Sequence, residues 1–157
     1  MKRTMIFTLA LASVAGAVAA GCGGDGDGTT TQTEGPATGD SSANTTQIQM
    51  GDDFFAPKDA SAKAGSVTIS APNKGQLLHE LVLAKTSADP SKLPTTSDGG
   101  VDESKLESLG EVTGEIDDVA PGDTKQGTFK LTPGQYVMFC NIPGHYAQGM
   151  YGTITVK

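Results

Sequence analysis

From Thr46 onward, apolar and polar residues alternate with a period of two. "TQIQM" places Ile48 and Met50 on one side, "SVTIS" places Val67 and Ile69 together, and "HELVLA" aligns His79, Leu81 and Leu83. "GTFKL" pairs Phe129 with Leu131, "QYVMFC" aligns Tyr136, Met138 and Cys140, and "GMYGTITVK" aligns Met150, Ile154 and Val156. This alternation marks strands with one buried face. The separators "KAGS", "PNKG", "APGD" and "TPGQ" are turn-formers, each supplying Gly, Pro or Asn where the chain must reverse. Short strands divided in this way predict an all-β sandwich or barrel. Met50, Met138 and Tyr136 are read as its core fillers.

Two stretches lack the alternation. Residues 86–117, "TSADPSKLPTTSDGGVDESKLESLGEVTGEID", are polar and long for a hairpin loop. Within them "DESKLESLG" predicts about two helical turns, with Asp102 near the start and Gly110 as the stop. The segment has too little apolar surface for its own core, so it is expected to be a loop and short-helix insertion between strands. The acidic "EIDDVAPGD" is expected to be a solvated loop, with docking to a cationic redox partner as the alternative. The other stretch, 23–45, is rich in Gly, Thr, Ser and Asp and cannot offset its ordering entropy by burial, which predicts a flexible tether. Its "DGDG" lacks the distant Glu of a calcium loop.

The first residues change the picture of where the domain works. "MKR" is basic, "MIFTLALASVAGAVAA" is apolar, and the run ends in small residues, the order of a secretory signal peptide. The competing reading is a retained membrane helix, for which the run is short. "AAGC" then resembles the lipobox of bacterial lipoproteins, with Ala19 where that motif usually has Leu. The resemblance implies removal of residues 1–21, lipidation of Cys22 and attachment to the outer face of the cytoplasmic membrane, in the periplasm or at the cell surface. An idle thiol at Cys22 is the plainer alternative, although a lone thiol on an exported tail would be an oxidation liability.

The whole chain of 157 residues carries a formal net charge of −7. Loss of residues 1–21 removes Lys2 and Arg3 but no acid, which leaves −9. Nucleic acid and anionic lipid are poor partners for such a surface. Two Cys in total exclude a disulfide framework, and with Cys22 assigned elsewhere an exported domain that keeps Cys140 needs a reason for it.

His79, Cys140 and Met150 share the inward register of their strands or strand ends, and His145 lies in the loop "NIPGHYAQG" between the last two. Inward polar and sulfur side chains call for a common partner, and a metal supplies one. One thiolate, two imidazoles and a nearby thioether form the soft ligand set of mononuclear blue-copper centres. Structural zinc would want a fourth strong ligand that the folded region lacks. A nucleophilic Cys–His pair would need an orienting group and an oxyanion site, neither of which is evident, so no enzyme is expected.

The residues together resemble the cupredoxins, small type 1 copper proteins. "FCNIPGHYAQGMYGTITV" is similar to their C-terminal signature, Cys-x4-His-x4-Met before a last strand, with a loop length closer to rusticyanin- and sulfocyanin-like members than to plastocyanins. "NKGQLLHELVLA" resembles the strand bearing the first histidine, and "FFAPKDASAKAGSVTIS" the N-terminal strands. The resemblance covers residues 46–157 apart from the insertion and implies a Greek-key sandwich. It further implies His79, Cys140 and His145 as copper ligands, Met150 as a weak axial one, and a monomeric carrier of one electron at Cu(I)/Cu(II). A cytochrome or membrane redox complex would be its partner. Ile142, Pro143 and Tyr146 would form an apolar surface around His145, and Phe139, facing outward, would be strand surface or a second electron route. Glu80 stands where the family often has Asn or Ser, and a carboxylate there favours the oxidised state. A copper carrier or delivery protein on the same fold, or a sandwich that binds no metal, are the alternatives.

Overall fold

Strand pairing follows the alternation. In the computed structural model, which describes residues 44–157, ten strands and two short helices run in the order β1 (Thr45–Gln47), β2 (Gln49–Gly51), β3 (Phe54–Ala56), β4 (Asp59–Ala62), β5 (Gly65–Pro72), β6 (His79–Lys85), α1 (Glu103–Leu106), β7 (Glu111–Val119), β8 (Thr124–Leu131), β9 (Gly134–Phe139), α2 (His145–Gln148) and β10 (Tyr151–Val156). The expected signal peptide, the lipidated Cys22 and nearly all of the tether lie outside the described residues. The domain begins slightly earlier than its pattern predicts. Thr45 already pairs with Thr68 across parallel strands β1 and β5, and the Asn44 side chain donates to the Lys63 carbonyl at 2.6 Å.

One sheet has the order β1-β5-β8 and the other β4-β10-β9-β6-β7, while β2 and β3 form a separate pair. The chain crosses between the two sheets at 63–64, 73–78, 120–123 and 132–133, where the "KAGS", "PNKG", "APGD" and "TPGQ" signals lie. Between the sheets sit the inward residues of the alternation, among them Ile48, Met50, Val67, Ile69, Leu81, Leu83, Phe129, Leu131, Tyr136, Met138 and Ile154, all buried. This is the all-β, cupredoxin-like sandwich that the sequence implies.

The insertion differs from its sequence reading at its far end. Irregular chain stops at Gly110, and residues 111–119 form β7, paired antiparallel with β6. "EIDDV" is therefore part of a sheet strand with Ile116 and Val119 buried, not a solvated loop. The helix is a single turn. The Asp102 side chain caps it by accepting from the Lys105 N–H at 3.2 Å, and the Gly110 N–H closes on the Leu106 carbonyl at 3.0 Å.

The shortened insertion covers the outer face of the larger sheet. Leu93, Val101 and Leu106 pack with Val82 and Ala84 of β6 and Val137 and Phe139 of β9 in a second apolar cluster. Each of the three burials is worth about 2 kcal/mol on an area basis. β6 and β9 are thus covered on both faces, which makes them a stiff base for whatever their ends carry.

Candidate metal centre

His79 opens β6, and Cys140 directly follows β9. The two strands are neighbours, with Val82 opposite Phe139, so pairing alone brings these residues to one end of the sheet. A register shift between His79 and Leu81 bends the start of β6, as bulges beside functional positions commonly do. The segment from Cys140 to Met150 returns to that end through α2. Gly144 (φ 85°) and Gly149 (φ 114°) bracket the helix in the left-handed region, where a side chain would be strained. The Cys140 N–H donates to the Met150 carbonyl at 3.1 Å, and the Met150 N–H to the His145 carbonyl at 3.1 Å.

Three of the four candidate ligands meet through their donor atoms. His79, Cys140 and His145 each offer one atom, all within 4.8 Å of one another, and all three residues are buried. The two Nδ1 atoms lie 3.2 Å apart, and the Cys140 Sγ lies 3.4 Å from the His145 Nδ1. Met150 is fully buried in the same core and is joined to the cluster by its backbone bonds to Cys140 and His145. A proton on the His145 Nδ1 can serve only one of its two contacts. A cation taking lone pairs from all three groups serves the whole set, and two imidazoles with a thiolate suit copper.

The metal-free electrostatics agree with this. Burial pushes the Cys140 thiol up to about 11, opposed by the backbone N–H groups of Glu80 and Ile142 bonded to the sulfur. Burial, and then the neighbouring His79, lower the His145 imidazole, which favours its neutral form. A neutral imidazole is a ready ligand, and a buried thiol becomes a thiolate readily only beside a cation.

The surroundings include residues that the sequence reading did not single out. The Asp52 Oδ1, from the turn between β2 and β3, lies 3.3 Å from the His79 Nε2 and accepts the N–H groups of Gln76 (2.7 Å) and Leu77 (3.1 Å). Those two backbone bonds come first in holding its carboxyl below the usual range. The fully buried Asn73 donates to the Leu77 and Val119 carbonyls at 2.7 and 2.8 Å and fixes the loop before His79. Glu80 accepts the Asn141 N–H at 2.9 Å, and burial raises its carboxyl. It therefore ties β6 to the residue after Cys140.

Asn141 in turn grips the insertion. Its side chain accepts the Val101 N–H and donates to the Val101 carbonyl at 3.2 Å and to Glu103 at 2.8 Å. An Asn after a candidate ligand is a visible signal; Asp52 and Asn73 have none. Asn141→Ala is expected to cost about 1–2 kcal/mol and to speed hydrogen exchange at the Val101 amide. Unchanged exchange there would show that the insertion is held without this grip.

Two expectations about the surface are corrected. Phe139 faces outward from the sandwich but is fully buried under the insertion, edge-on to Tyr146 at 6.4 Å. Tyr146 is likewise buried, because its hydroxyl donates to the Pro90 carbonyl at 2.8 Å and accepts the Leu93 N–H at 2.9 Å. It does not belong to the surface patch. Pro143 is exposed and Ile142 partly so, while Leu77 and Leu78, just before His79, are 50% and 43% exposed.

The model of the copper binding proteins of the plastocyanin/azurin family matches residues 42–157. The chain belongs to that family. It is also 30% identical over 146 residues to the copper-resistant cuproprotein CopI of Pseudomonas aeruginosa, covering 78% of this chain and 81% of that protein. Among solved structures, dithionite-reduced auracyanin of Roseiflexus castenholzii superposes with a TM-score of 0.57 at 25% identity, over 73% of this chain and 98% of its own. An azurin of Methylomonas sp. strain J gives 0.53 at 25% identity, over 74% and 98%. As a cupredoxin the protein binds copper, and the His79–Cys140–His145 cluster is the site that fits it. Among the described residues no helix is long and apolar enough to cross a membrane.

Proposed function

We propose that this cupredoxin is an electron carrier, not an enzyme, that cycles one electron at a single type 1 copper, which His79, Cys140 and His145 would hold, with Met150 as a weaker fourth ligand. The convergence of two buried imidazoles and a buried thiol on one point carries the reading. The metal supplies the one-electron couple when bound. The chain supplies rigidity: His79 and Cys140 stand at the ends of paired strands, and Asn141 and Tyr146 lock the loop between Cys140 and Met150 beneath the insertion. A site that barely moves keeps reorganisation small in both oxidation states. The working location is extracytoplasmic, with Cys22 lipidated and the segment up to about residue 44 as tether. The partner is a cytochrome or membrane redox complex, which the tether would hold at raised effective concentration. Docking is brief and uses the exposed Leu77, Leu78 and Pro143 beside the two imidazole ligands.

Delivery or sequestration of copper is the second reading, favoured by the likeness to a copper-resistant cuproprotein. One experiment separates the two: Cu(II) is added to the purified protein, and the visible spectrum and a redox titration are recorded. An intense sulfur-to-copper band with reversible one-electron cycling is expected. Stoichiometric Cu(I) binding without the band would favour delivery, and copper binding unchanged in Cys140→Ala would remove the site.

A further inference from the structure

The first imidazole has a carboxylate on its far side. Asp52 Oδ1 receives three donors at once: the Gln76 N–H, the Leu77 N–H and the His79 ring at Nε2. An ionised carboxylate only accepts, so this contact calls for a proton on the His79 Nε2, and in the neutral ring that leaves Nδ1 as the lone-pair atom facing Cys140 and His145. Asp52 reaches this position from a different hairpin, 27 residues earlier in the chain. The contact also demands a gap in the packing. Gly75 provides it, since a Cβ there would overlap the Asp52 Oδ1 and come within 3.0 Å of the His79 Nε2.

We propose that Asp52 is a positioning residue of the metal centre, which fixes the His79 tautomer and places a negative charge behind the ligand that favours the oxidised metal. The proposal rests on the reading that His79 binds copper. Two effects are separable by substitution. Asp52→Asn keeps an oxygen that accepts all three donors, so it removes the charge alone. Asp52→Ala removes both charge and acceptor, and Gly75→Ala displaces the carboxylate while leaving it in the chain. The Asp52 side chain is 36% exposed, and water weakens its field. Its loss is therefore expected to shift the Cu(I)-over-Cu(II) preference by about tenfold, or 59 mV for one electron.

The test compares the wild-type protein with these three variants by reduction potential, visible spectrum and the 15N tautomer signature of His79 in the metal-free state. Asp52→Asn should keep the Nε2–H tautomer and the band position while raising the potential by about 59 mV. Asp52→Ala and Gly75→Ala should raise the potential by at least as much, lose the tautomer preference and broaden the band. A structural role alone would lower thermal stability in the variants and leave potential and tautomer at wild-type values. That result, with copper still bound, overturns the proposal and spares the reading of the centre. If the wild type binds no copper, the reading of the centre fails and the charge effect with it. The tautomer measurement then decides the positioning role, which an unchanged His79 in Asp52→Ala and Gly75→Ala would overturn.

Discussion

Replacing Tyr146 by Ala should destabilise the metal-free protein by about 4 kcal/mol, the scale of losing a large buried aromatic ring. The ring stands between Phe139, edge-on at 6.4 Å, and Tyr151 at 5.3 Å. Its hydroxyl satisfies the Leu93 N–H and the Pro90 carbonyl, two backbone groups of the insertion. Tyr146→Phe keeps the ring and orphans those two groups, and should cost about 1–2 kcal/mol. Urea unfolding measures both losses, and hydrogen exchange at the Leu93 amide reports the local opening. Equal costs for Phe and Ala would place the value of Tyr146 in its hydroxyl and overturn this account of a ring-packed joint. Because Tyr146 directly follows His145, loosening the joint should also lower copper affinity.

Alkaline pH should destabilise the metal-free protein through Cys140. The thiol lies near 9.0 in an unstructured chain and is pushed up to about 11 by burial in the fold. With the folded value above the unfolded one, the unfolded state releases its proton first as pH rises. The contribution is therefore whole below pH 9 and is lost as pH climbs through about 11. About 2–3 kcal/mol is at stake for a shift of this size. Burial also raises Tyr146, which adds a loss of the same sign above pH 10. The difference between wild-type and Cys140→Ala stability curves isolates the thiol, and it should change with a slope of one proton in that window. A flat difference would mean that the sulfur is not shielded from water as described. With copper bound the thiolate is already present, and the slope should vanish.

Much of this architecture can be read from the chain, and what cannot has identifiable causes. The strands around Val67, Phe129, Tyr136 and Ile154 were legible because each buries one face and keeps strict alternation. β7 was not. Its two buried residues, Ile116 and Val119, are three apart, because Asp118 takes a positive φ of 50° and β6 shifts register opposite it. Burial of β6 and β9 on both faces left a mark in the continuous apolar runs "LVLA" and "YVMFC", the signature of strands covered on both sides. The four candidate ligands stood out because soft and nitrogenous side chains rarely share an inward register. Asp52 could not be found in this way, since an acidic pair in a turn looks like any solvated turn until the fold brings it to His79.

The pairing of β10 closes the end of the sheet that carries the candidate ligands. This strand lies between β9 and β4, and β4 has no other partner in that sheet among the described residues. The link from Met150 to Cys140 forms where β10 enters, beside the pairing of Tyr151 with Phe139. A nascent chain that has exposed His79 and even Cys140 therefore still lacks a closed ligand set. Joining β4 to β10 also closes a loop of some ninety residues, a slow contact in folding. The complete ligand cluster therefore exists only once β10 has docked, and copper is expected to bind the fully folded domain more tightly than any form in which β10 is unpaired.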